Sequence, residues 1–217
     1  MICGVDEAGK GPVMGPLVVA AVVVGNAKEI ENLGIRDSKL LTKTKRKKLA
    51  EIIKKKFIFE VEVIEPQKVD EYRKKNKLND LNREAFTKLI SKLNPNIAYV
   101  DAADVNEQRF GLQIKSGLTN QKDTDIISMH KADAKILVVA AASIIAKETR
   151  ESEISKLKDE IGDFGSGYPS DERTIKFLKS FYSDNNKWPT GTRKSWKTLE
   201  RIRPVKTLND FGVNNDK

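Results

Sequence analysis

An α/β core followed by a helical C-terminal portion is the fold class this sequence predicts, and three observations predict it. Leu17–Val24 is an unbroken apolar, largely β-branched run of the kind found in a strand covered on both faces. Segments with extended and helical periodicity alternate along the chain to about residue 150, as in a sheet with helices packed on it. Near residue 162 the alternation stops: Gly162, Gly165, Gly167 and Pro169 cluster, and only helical spacing follows.

Each element has its own signal. The first 25 residues read as a strand, a glycine-rich turn and a second strand. Thr42 or Thr44 can cap a helix over about 43–56, with Leu49, Ile52 and Ile53 as a narrow apolar stripe. Residues 57–64 alternate with Glu60 and Glu62 on one face, a half-exposed strand that Pro66 ends. Leu78, Leu81, Ala85, Leu89 and Leu93 predict a helix over Leu78–Leu93, which Asn94-Pro95-Asn96 breaks. Residues 97–100 form a short buried strand ending at Asp101, and 124–129 are a further strand. From Asp133 onward, Leu137, Ala140, Ala141, Ile144 and Ile145 describe one long small-residue helix suited to close packing on a sheet. Beyond the glycine cluster, Ser170 caps a helix through Leu178 and Phe181, a loop covers 184–192, and a last helix covers about 193–202.

At 217 residues the chain can bury a sizeable core. Its 39 % hydrophobic and 33 % charged content is that of a globular protein. No apolar run approaches the ~20 residues of a membrane span, and Asp6 and Glu7 fall where a secretion signal keeps its apolar stretch. The single cysteine, Cys3, has no internal partner, so a reducing, cytoplasmic compartment is expected. Net charge is +9 with a pI of about 9.4, which suits a polyanionic partner and equally suits a lysine-rich thermophilic surface.

Four acids carry the chemistry. Asp6 and Glu7 close a strand beside Gly9-Lys10-Gly11, Asp101 closes another, and Asp133 opens a helix just after a third. Open α/β sheets bind ligands at the carboxyl ends of their strands, so three distant segments deliver acids to one edge. Neighbouring strand residues point to opposite faces, so for Asp6 and Glu7 to share a site the chain has to turn there, which Gly9 and Gly11 permit. Clustered carboxylates repel and raise one another's pKa, and a hard divalent cation relieves this. An all-oxygen set, with one histidine (His130) and no cysteine in reach, suits Mg²⁺ or Mn²⁺ over Zn²⁺. Two such ions would suit in-line phosphodiester displacement. Taken singly, each acid is as well explained as a strand-end or capping residue, Asp133 above all. Residues 4–10 imitate a P-loop, but Gly11 stands where a hydroxyl is needed and only three residues precede Gly4.

These residues fall in a familiar series. Asp6-Glu-Ala-Gly-Lys-Gly-Pro-Val-Met-Gly-Pro16, Asp37-Ser-Lys39, Tyr99-Val-Asp101, His130-Lys-Ala-Asp133, Ala141-Ala-Ser-Ile-Ile-Ala-Lys147 and Gly165-Ser-Gly-Tyr-Pro-Ser-Asp171 resemble, in order, the motifs of type 2 ribonuclease H (ribonuclease HII). Ser195-Trp-Lys-Thr198 resembles its archaeal branch. The resemblance spans about residues 2–203. It implies a ribonuclease H-like fold, a mixed sheet flanked by helices, with a catalytic core over 1–161 and a helical region over 162–217 that closes on substrate. It implies catalytic, metal-binding roles for Asp6, Glu7, Asp101 and Asp133. By the same resemblance, the backbone of Gly9-Lys10-Gly11 contacts the ribonucleotide 2′-OH and a phosphate. Tyr168 packs on the sugar at the RNA–DNA junction, and Lys39 lies near the nucleic-acid backbone. The implied reaction is cleavage 5′ of ribonucleotides in RNA–DNA hybrids or in duplex DNA, leaving 3′-hydroxyl and 5′-phosphate ends. Lys10 stands where the family more often has arginine, which keeps the charge and loses the bidentate fork.

Type 3 ribonuclease H shares fold and acids, and a non-catalytic nucleic-acid binder could share the fold; Ala-Gly-Lys-Gly-Pro after Glu7 and the four intact acids favour the type 2 enzyme. Two basic stretches remain: Lys43–Lys56, with eight cations, reads as a solvated helix face, and 188–205 mixes Arg193, Arg201 and Arg203 with Trp188 and Trp196. Trp196, one turn before Leu199, reads as core. Thr207-Leu208-Asn-Asp-Phe211 loosely resembles clamp-binding peptides, with Leu208 and Phe211 as anchors, and equally reads as a frayed tail. A monomer is the simplest expectation.

Overall fold

The computed structural model describes residues 1–35, 41–119 and 123–203, so Lys39, Leu208 and Phe211 lie outside the described residues. In chain order the elements are β1 (Ile2–Ala8), β2 (Leu17–Val24), α1 (Lys28–Glu31), α2 (Lys43–Lys56), β3 (Ile58–Ile64), α3 (Pro66–Lys74) and α4 (Leu78–Leu93). They continue with β4 (Ile97–Asp101), α5 (Glu107–Gly117), β5 (Asp125–Met129), α6 (Ala132–Lys135), α7 (Leu137–Ile161), α8 (Glu172–Asn185) and α9 (Lys197–Ile202). The strands form one mixed sheet in the order β3-β2-β1-β4-β5. β1 pairs antiparallel with β2 and parallel with β4, which puts the carboxyl ends of β1, β4 and β5 on one edge.

β2 shows why its sequence has no polar residue. Leu17, Val19, Ala21 and Val23 enter one core, with Phe86 and Leu89 of α4. Val18, Ala20, Val22 and Val24 enter the other, with Ala140, Ala141 and Ile144 of α7. A strand sandwiched in this way cannot alternate. Where β1 crosses α7, Gly4 leaves no room for even a methyl group: a Cβ there would overlap the Val138 carbonyl and Val139 nitrogen. β3 is one of the two edge strands, and its Glu60 and Glu62, facing α4, pair with Lys92 and Lys88, charges on an edge that discourage pairing with another chain. No helix among the described residues is long and apolar enough to cross a membrane.

Several boundaries differ from expectation. Ile52 is exposed, so the buried stripe of α2 is Ala50 and Ile53 with half-buried Leu49. The long helix from Asp133 is two helices, α6 and α7, separated at Ile136, whose backbone is extended (φ −119°, ψ 113°). The cap of α8 is Asp171, which accepts from Arg173 N at 3.0 Å, in place of Ser170. Residues 193–196 are a turn, and α9 begins only at Lys197. α3 and α5 have no counterpart in the sequence reading. The residues after 162 join the α4-side core, with Phe164, Leu178, Trp196 and Leu199 packed in one cluster with Val5, Val13 and Met14.

Candidate active site

Asp6 and Glu7 lie within β1, which stays paired through Ala8 opposite Val18. No turn brings them together, contrary to the sequence expectation. Asp6 shares its face with Gly4 and looks toward α7, whereas Glu7 shares its face with Val5 and looks toward α4. Their partners agree: Ser143 of α7 lies beside Asp6 and Asn82 of α4 beside Glu7. The two acids are joined by a third. Asp101, on the neighbouring parallel strand, repels both. Asp101 Oδ1 in turn accepts from Ala132 N at 2.8 Å, which fixes α6 against the end of β4. Buried Asp133 is the next residue, in the first turn of α6, and is not its cap; Lys131, in the left-handed conformation, occupies that position.

The electrostatics are unfavourable as they stand. Burial pushes the Asp6 carboxyl well above the ordinary range, and repulsion from Glu7 and Asp101 adds to this. Burial likewise raises Glu7 to about 7, with Lys10 opposing the rise and Asp101 reinforcing it. Asp6 Oδ1 accepts from Glu7 N at 2.7 Å. Glu7 Oε2 is buried without a hydrogen-bond partner, as are Ser143 Oγ and both amide atoms of Asn82. Ser143 and Asn82 thus lie close enough to temper the acids without completing a hydrogen bond to them. A buried carboxylate oxygen with unmet valence beside two further carboxylates, with no sulfur or imidazole among them, fits a hard divalent cation. Among the described residues, no three His, Cys, Asp or Glu side chains stand in an arrangement that could hold a metal ion.

Immediately after Glu7 the chain bends at Gly9 (φ 90°), where a Cβ would stand 2.5 Å from Arg150 Nε and 2.7 Å from Pro16 O. Lys10 does not extend outward: its Nζ donates to Asn79 Oδ1 (2.9 Å) and Ala103 O (2.8 Å), tying the loop to α4 and to the chain leaving β4. Tyr168 stands over this loop. It is 40 % exposed, its ring lies 5.4 Å from the Arg150 guanidinium, and its Cε1 lies 3.8 Å from where a Gly11 Cβ would be. The loop carrying it is stiff: Gly167 N donates to Thr174 Oγ1 at 3.0 Å, and Gly167 O accepts from Val13 N and Met14 N. The structure therefore brings Asp6, Glu7 and Asp101 within electrostatic reach of one another and places Asp133 one residue past the Ala132–Asp101 hydrogen bond, with Gly9-Lys10-Gly11 and Tyr168 following β1.

Sequence reasoning missed Asn82, Arg150, Arg193 and Asp70. Asn82 was findable as the one amide on the buried face of α4. The others carried no local signal. A concavity of about 600 Å³ between α4 and α5, lined by Arg83, Thr87, Lys88 and Gln113, is away from the acids.

A five-stranded mixed sheet flanked by helices, with acids gathered at the carboxyl ends of β1 and β4, defines a ribonuclease H-like protein. The family model for ribonuclease HII matches residues 3–199. Ribonuclease HII of Thermococcus onnurineus is 45 % identical over 206 residues, 93 % of this chain and 89 % of that protein. The ribonuclease HII solved as a PCNA complex from Archaeoglobus fulgidus superposes with a TM-score of 0.86 at 43 % identity, covering 97 % of this chain and all of that one. Bst-RNase HIII, solved in complex with Mn²⁺, shares the fold alone, with a TM-score of 0.73 at 20 % identity over 93 % of this chain and 68 % of that one. The chain belongs to the ribonuclease HII family, a family of nucleases, and is a hydrolase.

Proposed function

We propose that this protein hydrolyses the RNA strand of RNA–DNA hybrids and nicks duplex DNA on the 5′ side of single ribonucleotides, leaving 3′-hydroxyl and 5′-phosphate ends. Asp6, Glu7, Asp101 and Asp133 would hold the divalent ions, Mg²⁺ or Mn²⁺, two of them with substrate in place. Bound ions supply charge neutralisation at the scissile phosphate and lower the pKa of the attacking water. The observation that carries this reading is the buried, partnerless Glu7 Oε2 set against Asp6 and Asp101 on adjoining strands.

The chain's own residues do the rest. The rigid β1–β4 pair fixes the spacing of Asp6 and Asp101, and the Ala132–Asp101 bond anchors the segment that presents Asp133. The backbone of Gly9-Lys10-Gly11 lies against the ribose 2′-OH and neighbouring phosphate, and Tyr168 packs on the sugar. Reading the 2′-OH is the one way to tell RNA from DNA at a single position. Lys39, which lies outside the described residues, contacts the nucleic-acid backbone. Residues 162–203 close over the duplex, and the protein acts as a monomer.

A 3′-labelled duplex with one ribonucleotide, incubated with Mg²⁺ or with EDTA, tests this. A single nick 5′ of the ribonucleotide in Mg²⁺ alone is expected. Binding without a nick in either condition would leave only a nucleic-acid-binding protein. We also propose that the tail from Thr207 to Phe211 contacts a sliding clamp, supported by the clamp complex of the Archaeoglobus relative. Calorimetric titration with an archaeal clamp should give heat that Phe211→Ala abolishes.

A further inference from the structure

Arg193 is fully buried, yet its guanidinium serves no carboxylate. It donates through Nε to Gly15 O (2.9 Å), through one terminal nitrogen to Lys10 O (3.1 Å) and through the other to Gly9 O (2.6 Å). Trp196, under the same guanidinium at 5.0 Å, donates its indole N–H to Gly11 O at 3.0 Å. The turn that carries both is pinned by Asp70 of α3, whose carboxylate accepts from the backbone of Lys194 (2.6 Å) and Ser195 (2.9 Å). Three successive carbonyls of the loop, those of Gly9, Lys10 and Gly11, are thereby drawn inward.

In a trans peptide the C=O of one residue and the N–H of the next point in opposite directions. Inward carbonyls at positions 9 and 10 therefore turn the N–H groups of Lys10 and Gly11 outward, and among the described residues neither donates to an acceptor. The carbonyl of Gly11 precedes Pro12, which has no N–H to misdirect. Two adjacent outward amides form a concavity for an anionic or hydroxyl oxygen.

The arrangement is costly to maintain. Burial lowers the Arg193 pKa to about 9, and the nearby charge of Arg150 adds to this. Among the described residues no ion pair involves either arginine. Retaining two buried, unpaired guanidinium groups beneath one short loop is a burden that packing alone does not require.

We propose that Arg193 is a positioning residue that aims the Lys10 and Gly11 amides at the ribonucleotide, a role that rests on the 2′-OH-reading assignment of this loop made above. Its planar fork spans three carbonyls, which an ammonium cannot do.

The test compares KM and kcat of Arg193→Lys, Trp196→Phe and the core control Leu178→Val on a duplex with one ribonucleotide in Mg²⁺. The temperature is one at which circular dichroism shows every variant folded. Arg193→Lys should raise KM roughly tenfold, with kcat moved less, as expected when a reading element is misplaced by a fraction of an ångström. Trp196→Phe should move KM in the same direction by less, and Leu178→Val should lower Tm while leaving KM alone. Unchanged KM in folded Arg193→Lys and Trp196→Phe overturns the proposal, as does an equal rise in Leu178→Val. If Arg193→Lys is recovered unfolded, Trp196→Phe decides by the same criterion. A wild-type protein that makes no nick strikes the functional reading instead.

Discussion

Glu7 Oε2, Ser143 Oγ and both Asn82 amide atoms are buried without hydrogen-bond partners. A few residues along the same chain, the carbonyls of Gly9, Lys10, Gly11 and Gly15 are each claimed by a buried donor. The two regions touch and are built on opposite terms. Around the acids, packing is complete and polar valence is not, so the charge has to come from outside. Around the loop, these carbonyls are all taken, so its shape is fixed before any ligand arrives, and the amides of Lys10 and Gly11 are left facing outward. Chemistry that depends on exchangeable cations suits the first condition, and discrimination of one hydroxyl suits the second.

Removing an acid should give the largest effect. Asp6→Asn or Asp133→Asn is expected to lower cleavage on the order of a thousandfold or more, as for other components of a catalytic unit, while hybrid binding stays measurable. Asp6→Asn should also raise Tm in EDTA, because it removes a buried carboxyl that Glu7 and Asp101 repel. Turnover by either variant at the wild-type rate would refute the metal assignment. Gly9→Ala comes next, with turnover expected to drop about a hundredfold, since its Cβ would press on Arg150 and Pro16 at a positive φ. A Gly9→Ala protein of normal activity would show the loop to be pliable and dissolve the contrast.

Tyr168→Ala should reduce cleavage at single embedded ribonucleotides roughly tenfold more than on long hybrids, a difference of about 1.4 kcal/mol. Equal losses on both substrates would remove its junction role. The smallest effect is thermal. The folded pKa of Glu7, about 7, lies above its ordinary 4.5, so its protonated form is stabilised by folding. That contribution is fully present below about pH 4.5 and lost as pH rises through 7. In EDTA, Tm should therefore decline between pH 5 and 8 by a few degrees, and Mg²⁺ should abolish the decline. A decline that persists with Mg²⁺ would separate the titration from ion binding.

Much of this was legible in the sequence because the signals were local. Continuous burial wrote itself into Leu17–Val24, helical spacing bounded Leu78–Leu93, and Asp6, Glu7 and Asp101 stood near strand ends with Asp133 just beyond another. α3 was invisible because its buried residues are Pro66, Val69 and Asp70, a set with one aliphatic side chain and too little apolar spacing to make a period. α5 hides Phe110 and Ile114 around a mid-helix glycine. Arg193 sat in a stretch that mixes cations with Trp188 and Trp196, whereas it is a buried strut. Its partners lie 178 to 184 positions earlier, at Gly15 and Gly9, and no window on the sequence connects them. The opposite facing of the two acids was legible, but the expected turn between them is not there, because Asp101 on the neighbouring strand reaches both.

Gly4 carries one more implication. Because nothing separates its α-carbon from the start of α7, that contact acts as a spacer of zero thickness between the strand bearing Asp6 and the helix bearing Ser143, just downstream of Asp133. A single added carbon there would lever the helix off the sheet and widen the gap between the acids, silencing the enzyme from a position that touches no substrate.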